Sequence, residues 1–228
     1  MKSKKTFSRV LDRLILASFL LFFASAGFQD KSISGWYRQY ITNLNGSTIN
    51  DMTFLDSLTG FAVTNSNSLL QEYILKTTNG GDNWFINYIF TTPNSNYSFV
   101  KIEFIDSNTG FAFSWTEMFK TTNKGVNWNM IVTGLYPDDI AILNQDTMLA
   151  VKYNSFNGGV YRTINGGYNW HNIWNIGGGS GNPKKIYMYD KNMGFSCVDF
   201  QTPRFRKTTN GGFNWFDIND NDFYDIKF

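Results

Sequence analysis

The sequence has 228 residues, and 20 lysines and arginines stand against 18 aspartates and glutamates, with one histidine and one cysteine. A single cysteine excludes an internal disulfide. After residue 26 the basic residues form no cluster of the kind that nucleic-acid-binding proteins carry, so the sequence gives no support for a nucleic-acid partner.

The N-terminus predicts a secretory signal peptide. Five basic residues within residues 2–13 precede an apolar run at 14–23, and Ala24-Ser25-Ala26 fits the small-residue cleavage rule. The alternative is a membrane anchor, but the run is shorter than the roughly 20 residues that span a bilayer. We therefore predict cleavage after Ala26, no membrane span after cleavage, and a secreted, periplasmic or cell-surface location. The mature chain would carry 15 basic and 17 acidic residues, a net charge of about −2.

A segment at 27–48 precedes the repeats. It contains Trp36, which lies 20 residues before Asp56, the same distance that separates Trp170 from Asp190. This spacing predicts an N-terminal strand that completes the closing blade of a ring.

Two motifs then repeat together. One, with the pattern Thr-x-Asn-x-Gly-x-x-Trp, occurs at 77–84, 121–128, 163–170 and 208–215, with its tryptophans 44, 42 and 45 residues apart. The other occurs at 54–63, 104–113, 142–151 and 188–197, and consists of an apolar run, a polar turn and a second apolar run. Each motif predicts two strands joined by a tight turn. Four short strands per repeat match one blade of a β-propeller, so we predict an all-β fold with blades at 49–90, 98–133, 137–175 and 183–219.

The last residues, 222–228, predict the first strand of a fifth blade. The sequence therefore predicts about four blades plus partial terminal strands, an incomplete ring that belongs to a fragment of a longer propeller.

The Thr-x-Asn-x-Gly-x-x-Trp motif resembles the Asp-box, or bacterial neuraminidase repeat, of sialidases, xyloglucanases, sortilin-like receptors and the photosystem II assembly factor family. The companion motif most resembles that last family. The resemblance covers about residues 35–228 and implies a structural role for the box, away from the binding face. Asn replaces the boxed Asp in every copy. The structural repeat residues are Asn79, Gly81, Trp84, Asn123, Gly125, Trp128, Asn165, Gly167, Trp170, Asn210, Gly212 and Trp215.

Loop length predicts where a ligand would bind. The turns within both motifs keep their length, whereas the connections at the opposite ends of the blades vary, as functional loops on a rigid scaffold do. The candidate binding residues on this variable face are Trp115, Glu117, Tyr136, Asp138, Asp139, Tyr153, Phe156 and Arg204. Aromatic residues beside carboxylates suit a protein or a glycan partner, although ordinary loop residues would look the same.

Catalysis is the alternative. Glycoside hydrolysis needs two carboxylates about 5–10 Å apart, and Glu117, Asp138, Asp139 and Asp199 repeat no catalytic signature. Only four arginines follow residue 26, and the single His171 lies at a variable strand position, which argues against a sialidase site, a His-based triad or a His-rich metal site. We predict no cofactor and no metal, and an exported, non-enzymatic binding propeller; the alternative is a fragment of a secreted glycoside hydrolase.

Overall fold

The computed structural model describes residues 41, 43–91, 98–152, 158–175, 183–198 and 204–218. Within these residues the chain forms sixteen β-strands and no α-helix. The strands make four antiparallel sheets of four strands, each arranged in sequence order. The predicted all-β propeller of four-stranded blades is confirmed, and the four blades do not close a ring.

Each blade runs from an innermost to an outermost strand. Blade 1 comprises β1 (Ile49–Phe54), β2 (Gly60–Thr64), β3 (Gln71–Thr77) and β4 (Phe85–Thr91). Blade 2 comprises β5 (Lys101–Phe104), β6 (Gly110–Phe113), β7 (Glu117–Thr121) and β8 (Asn129–Val132). Blade 3 comprises β9 (Asp139–Ile142), β10 (Met148–Lys152), β11 (Gly159–Thr163) and β12 (His171–Asn175). Blade 4 comprises β13 (Lys185–Met188), β14 (Gly194–Val198), β15 (Arg204–Thr208) and β16 (Phe216–Ile218).

The boxed asparagine closes the turn between the third and fourth strands. In blade 1, Oδ1 of Asn79 accepts hydrogen bonds from the Thr77 hydroxyl at 2.9 Å and from the Asn83 N–H at 3.0 Å. The same bonds occur at Asn123, Asn165 and Asn210. In each blade the boxed asparagine thus bonds within its own motif.

The turn between the first and second strands is also closed by a side chain. Asp56 accepts hydrogen bonds from the Leu58 and Thr59 N–H groups at 2.8 and 2.7 Å, and these bonds hold the pKa of Asp56 below its usual value. Asn144 makes the same two bonds without a charge, so the turn needs the acceptor rather than the carboxylate. The Gly80 N–H donates to the Leu58 carbonyl at 2.8 Å and thereby ties the two turns together, and blades 2–4 repeat this bond. We call this end of the blades the box face.

The motif tryptophans occupy equivalent places. Each directly precedes the outermost strand of its blade and packs against the preceding blade or, for Trp84, against the cluster that contains Leu44. Trp128 and Trp215 are 7% and 8% exposed, and Trp128 also donates from Nε1 to Oδ1 of Asn87 in blade 1 at 3.0 Å. Trp84 and Trp170 are only half-buried, so the four rings share a place in the blade but not the same degree of burial.

The core lies between successive blades. Phe61, Val63 and Ile74 of blade 1 pack against Ile102 and Phe119 of blade 2, and Ile140 and Ile186 take the place of Ile102 between the later blades. Because blade 2 has a neighbouring blade on both faces, its second strand, β6, is buried along its whole length.

The structure describes only part of the N-terminal segment for which the sequence predicts a signal peptide and a strand. Residues 41 and 43–48, the described part of the segment predicted to be a closing strand, contain turns and no strand; Leu44 instead packs on Ala62, Tyr73 and Leu75 of blade 1. Residues 27–40 and 42, the predicted signal peptide and the predicted strand at 222–228 lie outside the described residues. The part of the chain that the structure describes contains no helix long and apolar enough to cross a membrane.

Candidate binding face

The end of the blades opposite the box face carries two kinds of connection. The link between the second and third strands lies there, and so does the link to the next blade, because alternate strand ends of an antiparallel sheet lie at opposite edges. In blade 2 the link between the second and third strands consists only of Ser114–Thr116. The link from blade 2 to blade 3 consists of residues 133–138. This end is the variable face predicted from loop lengths.

Hydrogen bonds join these two connections. The Thr116 carbonyl accepts from the Thr133 N–H at 2.7 Å and from the Gly134 N–H at 3.0 Å, and the Trp115 carbonyl accepts from the Tyr136 N–H at 2.7 Å. Leu135, between them, is 5% exposed and belongs to the core between blades 2 and 3. The loops are therefore held as one unit by main-chain bonds and a buried leucine.

This unit presents an aromatic patch, which consists of Trp115, Tyr136 and Lys152. Trp115 is 39% exposed and Tyr136 is 44% exposed. The Lys152 Nζ lies 5.6 Å from the centre of the Tyr136 ring, within cation–π range. Tyr136 has φ +56°, a backbone conformation that costs energy for a residue other than glycine and that often marks functional sites. The structure thus brings together two of the predicted site residues and adds a lysine.

Asp139 is engaged within the fold. Its Oδ1 lies 3.6 Å from the Lys101 Nζ of blade 2, and its Oδ2 accepts from the Ile186 N–H of blade 4 at 3.1 Å. The neighbouring Asp138 is half-buried, and its N–H donates to the Val151 carbonyl at 2.9 Å. These contacts give Asp139 a structural role in joining blades 2, 3 and 4.

Glu117 faces an acidic residue that the sequence analysis did not single out. Glu72, the second residue of β3, is 0% exposed, and neither of its carboxyl oxygens has a hydrogen-bond partner among the described residues; the same holds for Oε2 of Glu117. The Phe99 backbone and the Ser114 hydroxyl lie nearby and lower the pKa of Glu72, without completing a hydrogen bond to it. The buried carboxyl group of Glu72 in blade 1 therefore lies close enough to Glu117 in blade 2 for their charges to interact.

Burial is the main reason why Glu72 has an unusual protonation state. It raises the pKa of Glu72 to about 8, and the negative charge of Glu117 adds to the rise. Burial has this effect because the ionised form of a carboxyl group loses its hydration in the interior. At neutral pH Glu72 is thus mostly uncharged, so the two glutamates are not a pair of ionised carboxylates.

The structure does not describe the side chains of the remaining predicted site residues. Tyr153 and Phe156 lie outside the described residues, and Arg204 begins β15 but its side chain is not among those described. No group of three or more His, Cys, Asp or Glu side chains that could hold a metal ion occurs in the described ranges. The sequence signals for the missed residues are weak: Glu72 follows Gln71 at the polar start of β3, and Lys152 ends a strand at the variable face.

Solved structures share this architecture. YCF48 bound to a D1 peptide superimposes with a TM-score of 0.58 at 22% identity, over 78% of this chain and 57% of that one. An ancestral GH74 enzyme superimposes with a TM-score of 0.54 at 16% identity, over 79% of this chain and 26% of that one. Likeness at these identities shows the fold alone, and the chain spans less than two thirds of either protein. No curated protein matches the chain significantly.

The family is shown by sequence. The family model of the photosynthesis system II assembly factor YCF48 matches residues 30–202, well over half of the chain. That range contains three of the four boxed motifs and the aromatic patch. The chain therefore belongs to the YCF48 photosynthesis system II assembly factor family.

Proposed function

We propose that this chain is an exported, non-enzymatic propeller that binds a segment of polypeptide through the aromatic patch on its variable face. The observation that carries the proposal is the patch itself. Two exposed aromatic rings and a lysine are presented by loops that main-chain hydrogen bonds hold in place. Aromatic side chains are enriched at the centres of protein interfaces, where they contribute much of the binding energy.

Two further observations support a polypeptide as the ligand. A family relative has been solved with a D1 peptide bound. The patch also offers a cation and two aromatic faces, which suit apolar side chains and a carboxylate or backbone carbonyl on an extended chain. Rigid loops lower the entropic cost of binding, because fewer groups have to be ordered when the partner arrives.

Export rests on the N-terminal sequence. A basic segment, an apolar run and Ala24-Ser25-Ala26 together have the organisation of a Sec signal peptide.

A selected peptide provides the test of binding. Peptides would be chosen from a random display library on the full chain, and the affinity of one fluorescent peptide would be measured by anisotropy. Trp115→Ala and Tyr136→Ala should each weaken binding by about tenfold or more, since interface aromatics typically contribute more than 1 kcal/mol. Unfolding curves of the variants would show that the fold persists.

A matched control lies on the opposite end of the same blade. Tyr168, in the box turn of blade 3, is 68% exposed. Tyr168→Ala removes the same kind of ring from the box face and should leave the affinity unchanged. If the selected peptides bind Trp115→Ala and Tyr136→Ala as tightly as the unchanged chain, or lose affinity only with Tyr168→Ala, the patch is not the binding site.

A further inference from the structure

Asparagine followed by glycine is a sequence at which a protein chain can modify itself. The glycine nitrogen gives up its proton and bonds to the side-chain carbonyl carbon of the asparagine, the bond from that carbon to the side-chain nitrogen breaks, and ammonia leaves with the proton. Water then opens the succinimide ring to aspartate or isoaspartate. Glycine favours the attack because it has no Cβ. The chain has five such pairs, which begin at Asn45, Asn79, Asn157, Asn165 and Asn210; Asn157 lies outside the described residues.

The three pairs inside the boxes are restrained by hydrogen bonds. In blade 1 the Gly80 N–H donates to the Leu58 carbonyl at 2.8 Å, and Oδ1 of Asn79 accepts two bonds from within its own turn. The pairs of blades 3 and 4 have the same bonds. Attack would break the bond at the glycine nitrogen and turn the asparagine side chain away from its two donors, so the box opposes the reaction.

The pair Asn45-Gly46 lacks these restraints. It occupies the two central positions of a tight turn that the Ser47 N–H closes by donating to the Leu44 carbonyl at 2.9 Å. The φ angles are +49° at Asn45 and +89° at Gly46, as in a type I′ turn. Within the described residues the Gly46 N–H donates no hydrogen bond and Oδ1 of Asn45 accepts none. Both atoms that the attack involves are therefore unrestrained.

Solvent exposure does not distinguish the pairs. Asn45, Asn165 and Asn210 are all exposed, so water can reach each of them. What differs is the bonding of the asparagine oxygen and of the glycine nitrogen. We propose that Asn45 is a site of spontaneous deamidation in the folded chain, that the box hydrogen bonds protect the other three asparagines, and that the product weakens the attachment of the turn at 43–47 to blade 1.

The weakening follows from a contact of the Asn45 side chain. Its Nδ2 donates to the Tyr73 hydroxyl at 3.1 Å, and Nδ2 of Asn67 donates to the same hydroxyl at 3.0 Å. The hydroxyl itself donates to Gln71 at 2.9 Å. A carboxylate in place of the amide can only accept, so it must take the hydroxyl proton away from Gln71 or lose the contact. Leu44, which the same turn places on blade 1, is then held by one bond fewer.

Incubation of the full chain at neutral pH, followed by peptide mapping, tests the site. Tandem mass spectrometry with electron-transfer fragmentation would measure aspartate and isoaspartate at each asparagine. The modified fraction at Asn45 should grow at least about tenfold faster than at Asn79, Asn165 and Asn210, since hydrogen bonds that must break on the way to the succinimide raise its barrier. Rates at the boxed asparagines that equal or exceed the rate at Asn45 would overturn the proposal.

The same chain in guanidinium chloride is the matched control. Unfolding removes the box hydrogen bonds and leaves four identical Asn-Gly pairs, which should then react at similar rates. If the boxed asparagines stay as slow in the unfolded chain as in the folded one, the hydrogen bonds are not what protects them, and the proposal fails.

A pair of variants tests the weakened turn. Asn45→Asp copies the product, and Asn43→Asp adds the same charge at an exposed position that makes no hydrogen bond among the described residues. Hydrogen exchange of the Ser47 amide, which closes the turn, should be about two- to tenfold faster in Asn45→Asp than in Asn43→Asp, as expected for the loss of one hydrogen bond. Equal exchange in the two variants would refute the weakening.

Discussion

Glu72→Gln should abolish a pH dependence of stability that this one buried carboxyl group creates. The pKa of Glu72 is raised from its usual 4.5 to about 8 in the folded chain. Between these values the folded state holds a proton that the unfolded state has released, so the free energy of unfolding decreases as pH rises. The slope is about 1.4 kcal/mol per pH unit, and the loss ends once pH passes the folded pKa.

The magnitude follows from this slope. Between pH 4.5 and pH 7 the loss is about 3 kcal/mol, a large share of the roughly 5–15 kcal/mol that stabilises a typical domain. Glutamine has the shape of the uncharged carboxyl group but does not titrate. Glu72→Gln should therefore match the unchanged chain near pH 4.5 and exceed its stability by about 3 kcal/mol at pH 7.

Urea unfolding followed by tryptophan fluorescence would measure the difference. With a denaturant dependence of about 2 kcal/mol per molar, 3 kcal/mol moves the midpoint by about 1.5 M at pH 7. Glu103→Gln is the matched control, since it makes the same chemical change on a strand where the side chain is 37% exposed, and it should keep the slope. Glu117→Gln should end the slope at a lower pH, because it removes the charge that helps to raise the pKa of Glu72. A slope that persists in Glu72→Gln would refute the assignment.

Four further predictions follow from the fold and the sequence. Trp128→Ala should lower the free energy of unfolding by about 3–5 kcal/mol. Trp84→Ala should lower it less, because Trp84 is only half-buried, and equal losses in urea unfolding would contradict this. Gly125→Ala should cost about 2–4 kcal/mol, since φ is +72° and a new Cβ would lie 2.5 Å from the Phe61 ring, whereas Gly46→Ala meets no atom within 4 Å and should cost about 1 kcal/mol. Mass spectrometry of the exported chain should find a mature form that begins after Ala26, and an uncleaved form would favour the anchor. The purified chain should release no sugar from a panel of glycosides, and turnover would revive the hydrolase alternative.

Local turn chemistry made the blades predictable. Thr77 and Asn79 bond within their own turn, and Asp56 bonds to N–H groups two and three residues ahead. Such bonds need only neighbours in sequence, so the repeated pattern alone determined where strands pair and turn. The tryptophan at the end of each box could be placed directly before the outermost strand for the same reason, whereas its degree of burial depends on the neighbouring blade.

The variable face was predictable in position but not in composition. Loop lengths located this end of the blades, and both Trp115 and Tyr136 are exposed there. The two loops are held together by hydrogen bonds that the Thr133 and Gly134 N–H groups donate to the Thr116 carbonyl, across 17 or more residues of sequence. No local pattern encodes a contact between two loops of different length.

What the sequence by itself determined is therefore the family, the blade and its turns, since each copy of the motif specifies its own hairpins. Only the tertiary structure decided which charged residues meet. Glu72 and Glu117 belong to different blades, and the packing of the two sheets brings the negative charge of Glu117 close enough to raise the pKa of Glu72 further. Asp139, which the sequence predicted as a ligand-binding residue, instead contacts Lys101 of blade 2 and Ile186 of blade 4 and so joins three blades. Burial and charge pairing between sheets depend on distances that only packing sets, and the sequence of a single blade does not contain them.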